Sequence, residues 1–189
     1  MTDQAPEDSG DGRALVLYES FFGNTRHIAD SVAAGLRLEG WRVTVLDVAQ
    51  ADDTTTCGWD LLVVGAPTHA FSLSRGSTRA EAVARGGSAS YARTGMREWL
   101  EQLAQSREVR LAAAFDTRVS KVRHLPASAA RRAAHMLRSK GCRLVLAPHG
   151  FIVRDVEGPL ESRQTEDAIA WGRAAAREAQ LARAASRVR

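Results

Sequence analysis

Cysteine is nearly absent from this sequence: two residues in 189, Cys57 and Cys142. They stand far apart and outside any metal-ligand spacing. That excludes a disulfide framework and a zinc module and predicts reduced thiols in a cytoplasmic protein. Long apolar runs are missing as well; none reaches the roughly 18 residues of a membrane span. Lysine is scarce, with two residues among the 26 basic side chains. Arginine bias alone therefore explains much of the high isoelectric point of 9.7. No helix-turn-helix, finger or RNA-binding signature accompanies the basicity, so nucleic acid is not the expected partner. The first twelve residues carry four acids and no base. Lacking both a basic start and an apolar stretch, they do not form a secretory signal and are expected to be a disordered acidic leader.

What is present is an alternation. Ala14–Tyr18 and Leu61–Gly65 are short continuous apolar runs, the pattern of strands buried on both faces. Trp41–Leu46 and Val109–Phe115 read as further strands. A fifth spans Arg143–Ala147 and resumes at Phe151–Val153. Between them, Ile28, Val32 and Leu36 recur at helical spacing from Asn24 to Leu38, and Gly40 stops the pattern. Met96, Trp99, Leu100 and Leu103 mark a second helix. Ser128 is placed to cap a third, Ser128–Ser139, with Gly141 as its stop. A last helix runs from about Arg163 to Ala182, leaving 183–189 as a basic tail. The segment 66–92 is long, rich in Gly and Ser, and offers only a short helical turn at Thr78–Ala84. A loop of that length in a small domain is usually functional or disordered. Five strand–helix alternations specify one α/β domain over 13–182, with a parallel sheet and helices on both faces. Such sheets bind ligands beyond the carboxyl ends of their strands, where strand order reverses. That rule selects residues 19–25, 66–72 and 116–122.

The first of these segments, Glu19-Ser20-Phe21-Phe22-Gly23-Asn24-Thr25, opens the first helix directly after the first strand. A phosphate there would meet free amide groups and the positive end of the helix dipole. Ser20 and Thr25 add hydroxyls, Gly23 adds backbone freedom, and Arg26 a nearby positive charge. Neither GxxxxGK[ST] nor GxGxxG occurs, which argues against the common triphosphate and dinucleotide folds. The acidic pocket of response-regulator receiver domains is also missing.

This loop resembles the phosphate loop of the flavodoxin family, hydroxyl-x-Thr-Gly-x-Thr, with Ser20, Gly23 and Thr25 matching and Phe22 standing in place of a hydroxyl. After the third strand, Gly65-Ala66-Pro67-Thr68-His69-Ala70-Phe71 looks like the family's first flavin loop. After the fourth, Phe115-Asp116-Thr117-Arg118 looks like its second. Gly158-Pro159-Leu160-Glu161 and Trp171-Gly172 extend the similarity over roughly residues 13–172. The resemblance implies a flavodoxin-like three-layer sandwich with five parallel strands in the order 2-1-3-4-5. It also implies FMN held by Ser20, Phe21, Phe22, Gly23, Asn24, Thr25, Pro67, Thr68, His69, Ala70, Phe71, Asp116, Thr117 and Arg118.

Departures from the family pattern shape the functional expectation. The second loop has no aromatic to stack on the flavin, and the domain is basic where electron carriers of the family are usually acidic. A free Arg118 beside the flavin pyrimidine would favour the reduced, anionic ring and raise its potential. Arg118 can instead pair with Asp116 or Glu157. The implied function is an FMN-binding redox protein, working with a redox partner protein or a small acceptor such as a quinone. It would be either an electron carrier or a small FMN-dependent reductase. The alternative is a flavodoxin-fold binding or regulatory module that has lost FMN, a reading that Phe22 keeps open.

Overall fold

The structure is a computed structural model that describes residues 12–52, 55, 58–104 and 110–187. The expected leader, apart from Gly12, lies outside them, as do residues 53, 54 and 56, Cys57 and Val109. Strand β1 (Arg13–Tyr18) leads into helix α1 (Asn24–Leu38), β2 (Arg42–Asp47) and β3 (Leu61–Pro67). Helices α2 (Gly76–Ala84) and α3 (Met96–Gln102) follow, then β4 (Leu111–Val119) and α4 (Ala129–Ser139). Two short strands, β5 (Arg143–Leu144) and β6 (His149–Val153), precede the long α5 (Gln164–Arg187). Strand order is β2-β1-β3-β4-β5, all parallel, with β6 also on β4.

Strand alternation divides the core into two layers. Leu15, Leu17, Leu62 and Val64 face α3 and α4, against Met96, Leu100 and Leu137. Ala14, Val16, Val63 and Phe115 face α1 and α5, against Ile28, Val32, Leu36 and a row of alanines on α5. The small α5 side chains let it lie close along α1. Arg173 and Arg177 then clasp Glu39 at the end of α1, at 2.6 and 2.9 Å. Among the described residues no helix is long and apolar enough to cross a membrane.

Four boundaries differ from the sequence expectation. The segment 66–92 is not an open loop: nine of its residues form α2, and Ala89–Tyr91 form a short 3-10 turn. Strand β4 continues to Val119, so Asp116–Arg118 are strand residues rather than a loop. The fifth strand is broken: Ala112 pairs with Leu144 and Phe115 with His149, so four residues (145–148) stand opposite two (113–114). Pro148 falls in that excess and has no amide to give a ladder. Helix α5 runs on through the expected tail to Arg187.

Candidate functional site

The carboxyl ends of β1, β3 and β4 converge on one cleft of about 270 Å³, slightly below the usual range for a small-molecule site. Its floor is the turn between β1 and α1. Gly23 immediately precedes α1 at φ 85°, a left-handed angle that a side chain resists. Among the described residues, the amides of Phe22, Gly23, Asn24 and Thr25 have no acceptor. Ser20 Oγ accepts from the Arg26 amide at 3.2 Å, so its own O–H stays free. Thr25 Oγ1 and Thr117 Oγ1 lie 2.8 Å apart. One proton fills that bond and the second remains available to a ligand. Four unpaired amides, two hydroxyl protons and the positive end of a helix dipole thus lie along one turn, the donor set an anion requires. Phe22 removes one hydroxyl from this set and leaves the amides.

The turn is held from behind by residues that sequence reasoning missed. Tyr91 Oη accepts from the Ser20 amide at 3.1 Å and donates to Asp47 Oδ2 at 2.6 Å. Burial, reinforced by Asp47, raises the Tyr91 phenol well above its usual range and keeps it protonated. Its ring stands edge-on to Phe21, and Phe21 edge-on to His69, with centroids 5.0 and 5.1 Å apart. Glu19 is fully buried and accepts from the Met96 amide at 2.6 Å, at the start of α3. Its other oxygen has no partner among the described residues, and burial pushes the carboxyl up. The one available signal was position: Glu19 is an acid set between an apolar strand and a Ser-rich turn.

The side walls come from three places. Pro67, Thr68, His69 and Ala70 form one. Thr68 is fixed by its amide to Thr117 O and by its hydroxyl, which accepts from the Ala129 amide of α4. His69 is partly buried, and desolvation lowers its pKa, leaving a neutral ring. Beyond it, Ala70 and Phe71 both adopt positive φ, 44° and 63°, inside a tight hairpin closed by His69 and Ser72. The second wall is β4 and β6, with Thr117, Arg118, Val119 and Val153. The third is α2 and the residue after it, which contribute Thr78, Glu81, Ala82 and Arg85.

Gly23, Phe71 and Asp116 do not line the cleft. Asp116 and Arg118 project to the same side of β4, two residues apart. The buried Asp116 carboxylate takes Arg118 Nε at 2.7 Å, Nη2 at 2.9 Å and the Ala130 amide at 2.9 Å. Arg118 reaches it by lying over Gly150, where any Cβ would collide with the guanidinium. The cation expected beside the ligand is therefore already neutralised, and a raised potential has no support from Arg118.

Strand order, reversal point and the turn after β1 decide the comparison with solved structures. The fold is that of the flavodoxins. A flavodoxin from the domain Archaea superposes with a TM-score of 0.66 at 15% identity, over 89% of this chain and 99% of its own. Oxidised flavodoxin 2 from Bacillus cereus gives 0.63 at 17%, over 88% and 99%. A WrbA-like flavodoxin from Agrobacterium tumefaciens gives 0.56 at 17%, over 90% and 99%. At such identities the likeness is one of fold. No family model and no curated protein matches the chain.

Proposed function

We propose that this flavodoxin-fold chain binds FMN and works as a redox protein. The observation that carries the reading is the run of unpaired amides from Phe22 to Thr25, set at the start of α1 and opening onto the cleft. These amides, with the Ser20 and Thr25 hydroxyls, would hold the terminal phosphate. Pro67–Ala70 on one side and Thr117–Val119 with Val153 on the other would hold the ring. Bound flavin supplies one- and two-electron chemistry that side chains cannot. The chain's own part is to bind, orient and partly desolvate it. The His69 ring has no hydrogen-bond partner among the described residues, and because burial depresses its pKa it is a neutral wall residue that takes up a proton only on the acid side of its ordinary range.

The test is direct. The purified protein, or its flavin-free form titrated with FMN, should show the yellow flavin spectrum and quench FMN fluorescence at micromolar concentrations. Colourless protein that leaves FMN fluorescence unchanged would sink the reading. Within it, an electron carrier is one version. The ordered α2 wall favours a second version, a small FMN-dependent reductase that encloses its acceptor. Rapid bleaching of the flavin by NADH or NADPH alone would assign that version; reduction only through another protein would assign the carrier.

A further inference from the structure

From Thr117 to Arg154 the sequence holds nine cations and no acid. The fold brings part of that stretch beside the cleft. The loop between β4 and α4 leaves Val119 on the cleft wall and returns to Ala129, whose amide bonds Thr68 on the opposite wall. Lys121, Arg123 and Leu125 are therefore carried next to the cleft mouth, and all three are exposed. The His69–Ser72 hairpin follows directly on Thr68, which accepts from the Ala129 amide at the end of this loop. Arg97 fastens it, donating to Ser72 Oγ at 3.1 Å and Leu73 O at 2.7 Å. Burial first, then Arg75 and Arg132, depress the Arg97 pKa, and Glu101 and Glu98 oppose them in part. Like charges thus crowd together at the dipole-positive end of α4, whose first turn has no acid to offset them. Phe71, in the hairpin that Arg97 fastens, is 49% exposed, and Leu125, in the loop before α4, is 42% exposed.

An apolar centre inside a rim of one charge is the build of a protein-docking patch. We propose that this face, centred on Phe71 and Leu125 and ringed by Arg75, Lys121, Arg123 and Arg132, docks an acidic redox protein. The excess of positive over negative charge selects an acidic partner. The two exposed apolar side chains select a protein over a nucleic acid, whose backbone would leave them uncovered. The position beside the cleft mouth puts such a partner near the edge of a bound flavin. The redox role of the partner rests on the proposed FMN function; the docking itself does not.

The experiment measures binding of the full chain, with and without FMN, to an acidic [2Fe–2S] ferredoxin, and to basic cytochrome c as control. Calorimetry at low and high salt reads the association even if the protein proves colourless, so failure of the flavin reading stays separate. The ferredoxin should bind more tightly than the cytochrome and weaken steeply with salt. The double variant Arg75→Glu/Arg132→Glu should lose at least about tenfold in affinity. Arg138→Glu/Arg143→Glu makes the same charge change at the far end of α4 and β5 and should lose far less. Leu125→Ser should weaken binding without altering its salt dependence. Equal binding of cytochrome and ferredoxin, or equal loss in the two double variants, would overturn the proposal. Displacement of ferredoxin by duplex DNA or by 2′,5′-ADP at matched charge would also overturn it, in favour of a polynucleotide or a small phosphate ligand.

Discussion

At Ala70 and Phe71 the backbone takes two successive left-handed angles, with φ of 44° and 63°, where hairpins normally place Asn-Gly. Each such angle costs an ordinary residue about 1–2 kcal/mol. The double variant Ala70→Asn/Phe71→Gly should relieve that strain and raise stability by about 1–2 kcal/mol, read as a higher urea midpoint. Unchanged or lower stability would show that the turn is not strained. At the phosphate turn, Phe22→Ser would restore a donor worth about 0.5–1.5 kcal/mol. FMN affinity should then rise by up to about tenfold in a fluorescence titration. His69 and Glu19 set opposite pH dependences. Burial lowers the His69 pKa below its ordinary 6.5, so its contribution to stability is present above that value and fades as pH falls through the depressed one. Burial raises Glu19 above its ordinary 4.5, so its contribution is present below that value and fades as pH rises through the raised one. Denaturation midpoints followed against pH should show His69→Asn flattening the acid side and Glu19→Gln the alkaline side. Failure of either variant to change its own side would refute the assignment.

Helix α4 shows an element bent away from its best sequence. Ser128 caps it through a bond from the Arg131 amide at 3.3 Å, yet Arg131 occupies the position where a capping box wants Glu. Arg131→Glu should raise stability by about 0.3–1 kcal/mol, seen as a higher melting temperature. No gain would mean that the helix end is already satisfied. The sequence made α1 and α4 legible because their caps, apolar spacing and stop glycines agree. It showed α2 only as a short turn at Thr78–Ala84, because that helix turns an arginine, Arg79, into the core, where Glu98 meets it at 3.0 Å from nineteen residues away. No local pattern signals such a pair. The end of β4 was illegible for a similar reason. Asp116-Thr117-Arg118 is polar enough to read as a loop, and only pairing with the offset β6 makes it strand. The phosphate turn was legible because it is local to one strand–helix junction. Its supports, Tyr91 and Asp47, come from distant parts of the chain.

Across the whole molecule the charge is unevenly placed. Cations with no acid among them run from Thr117 to Arg154, whereas α1 and α5 interleave both signs. On α5, Arg177 and Arg173 share a partner: together they hold the Glu39 carboxyl down to about 2. Arg177→Ala should let that carboxyl titrate nearer 4.5, which carboxyl-resolved NMR would detect; an unmoved titration would show that Arg173 alone suffices. The fold class followed from strand–helix alternation, which every layer of the core respects, but the polarity of each surface depends on which helix ends meet.

The Ser20 amide is fastened by Tyr91, 71 positions downstream. A turn shaped across so much chain closes late, because the intervening segment must find its place first. A ligand seated there would therefore act as a latch on the finished molecule and not as a seed for its assembly. Added FMN should leave the refolding rate nearly unchanged and slow unfolding in proportion to occupancy, as stopped-flow traces with and without it would reveal. Faster refolding with FMN would mean that the turn is already shaped in the transition state, before Tyr91 arrives.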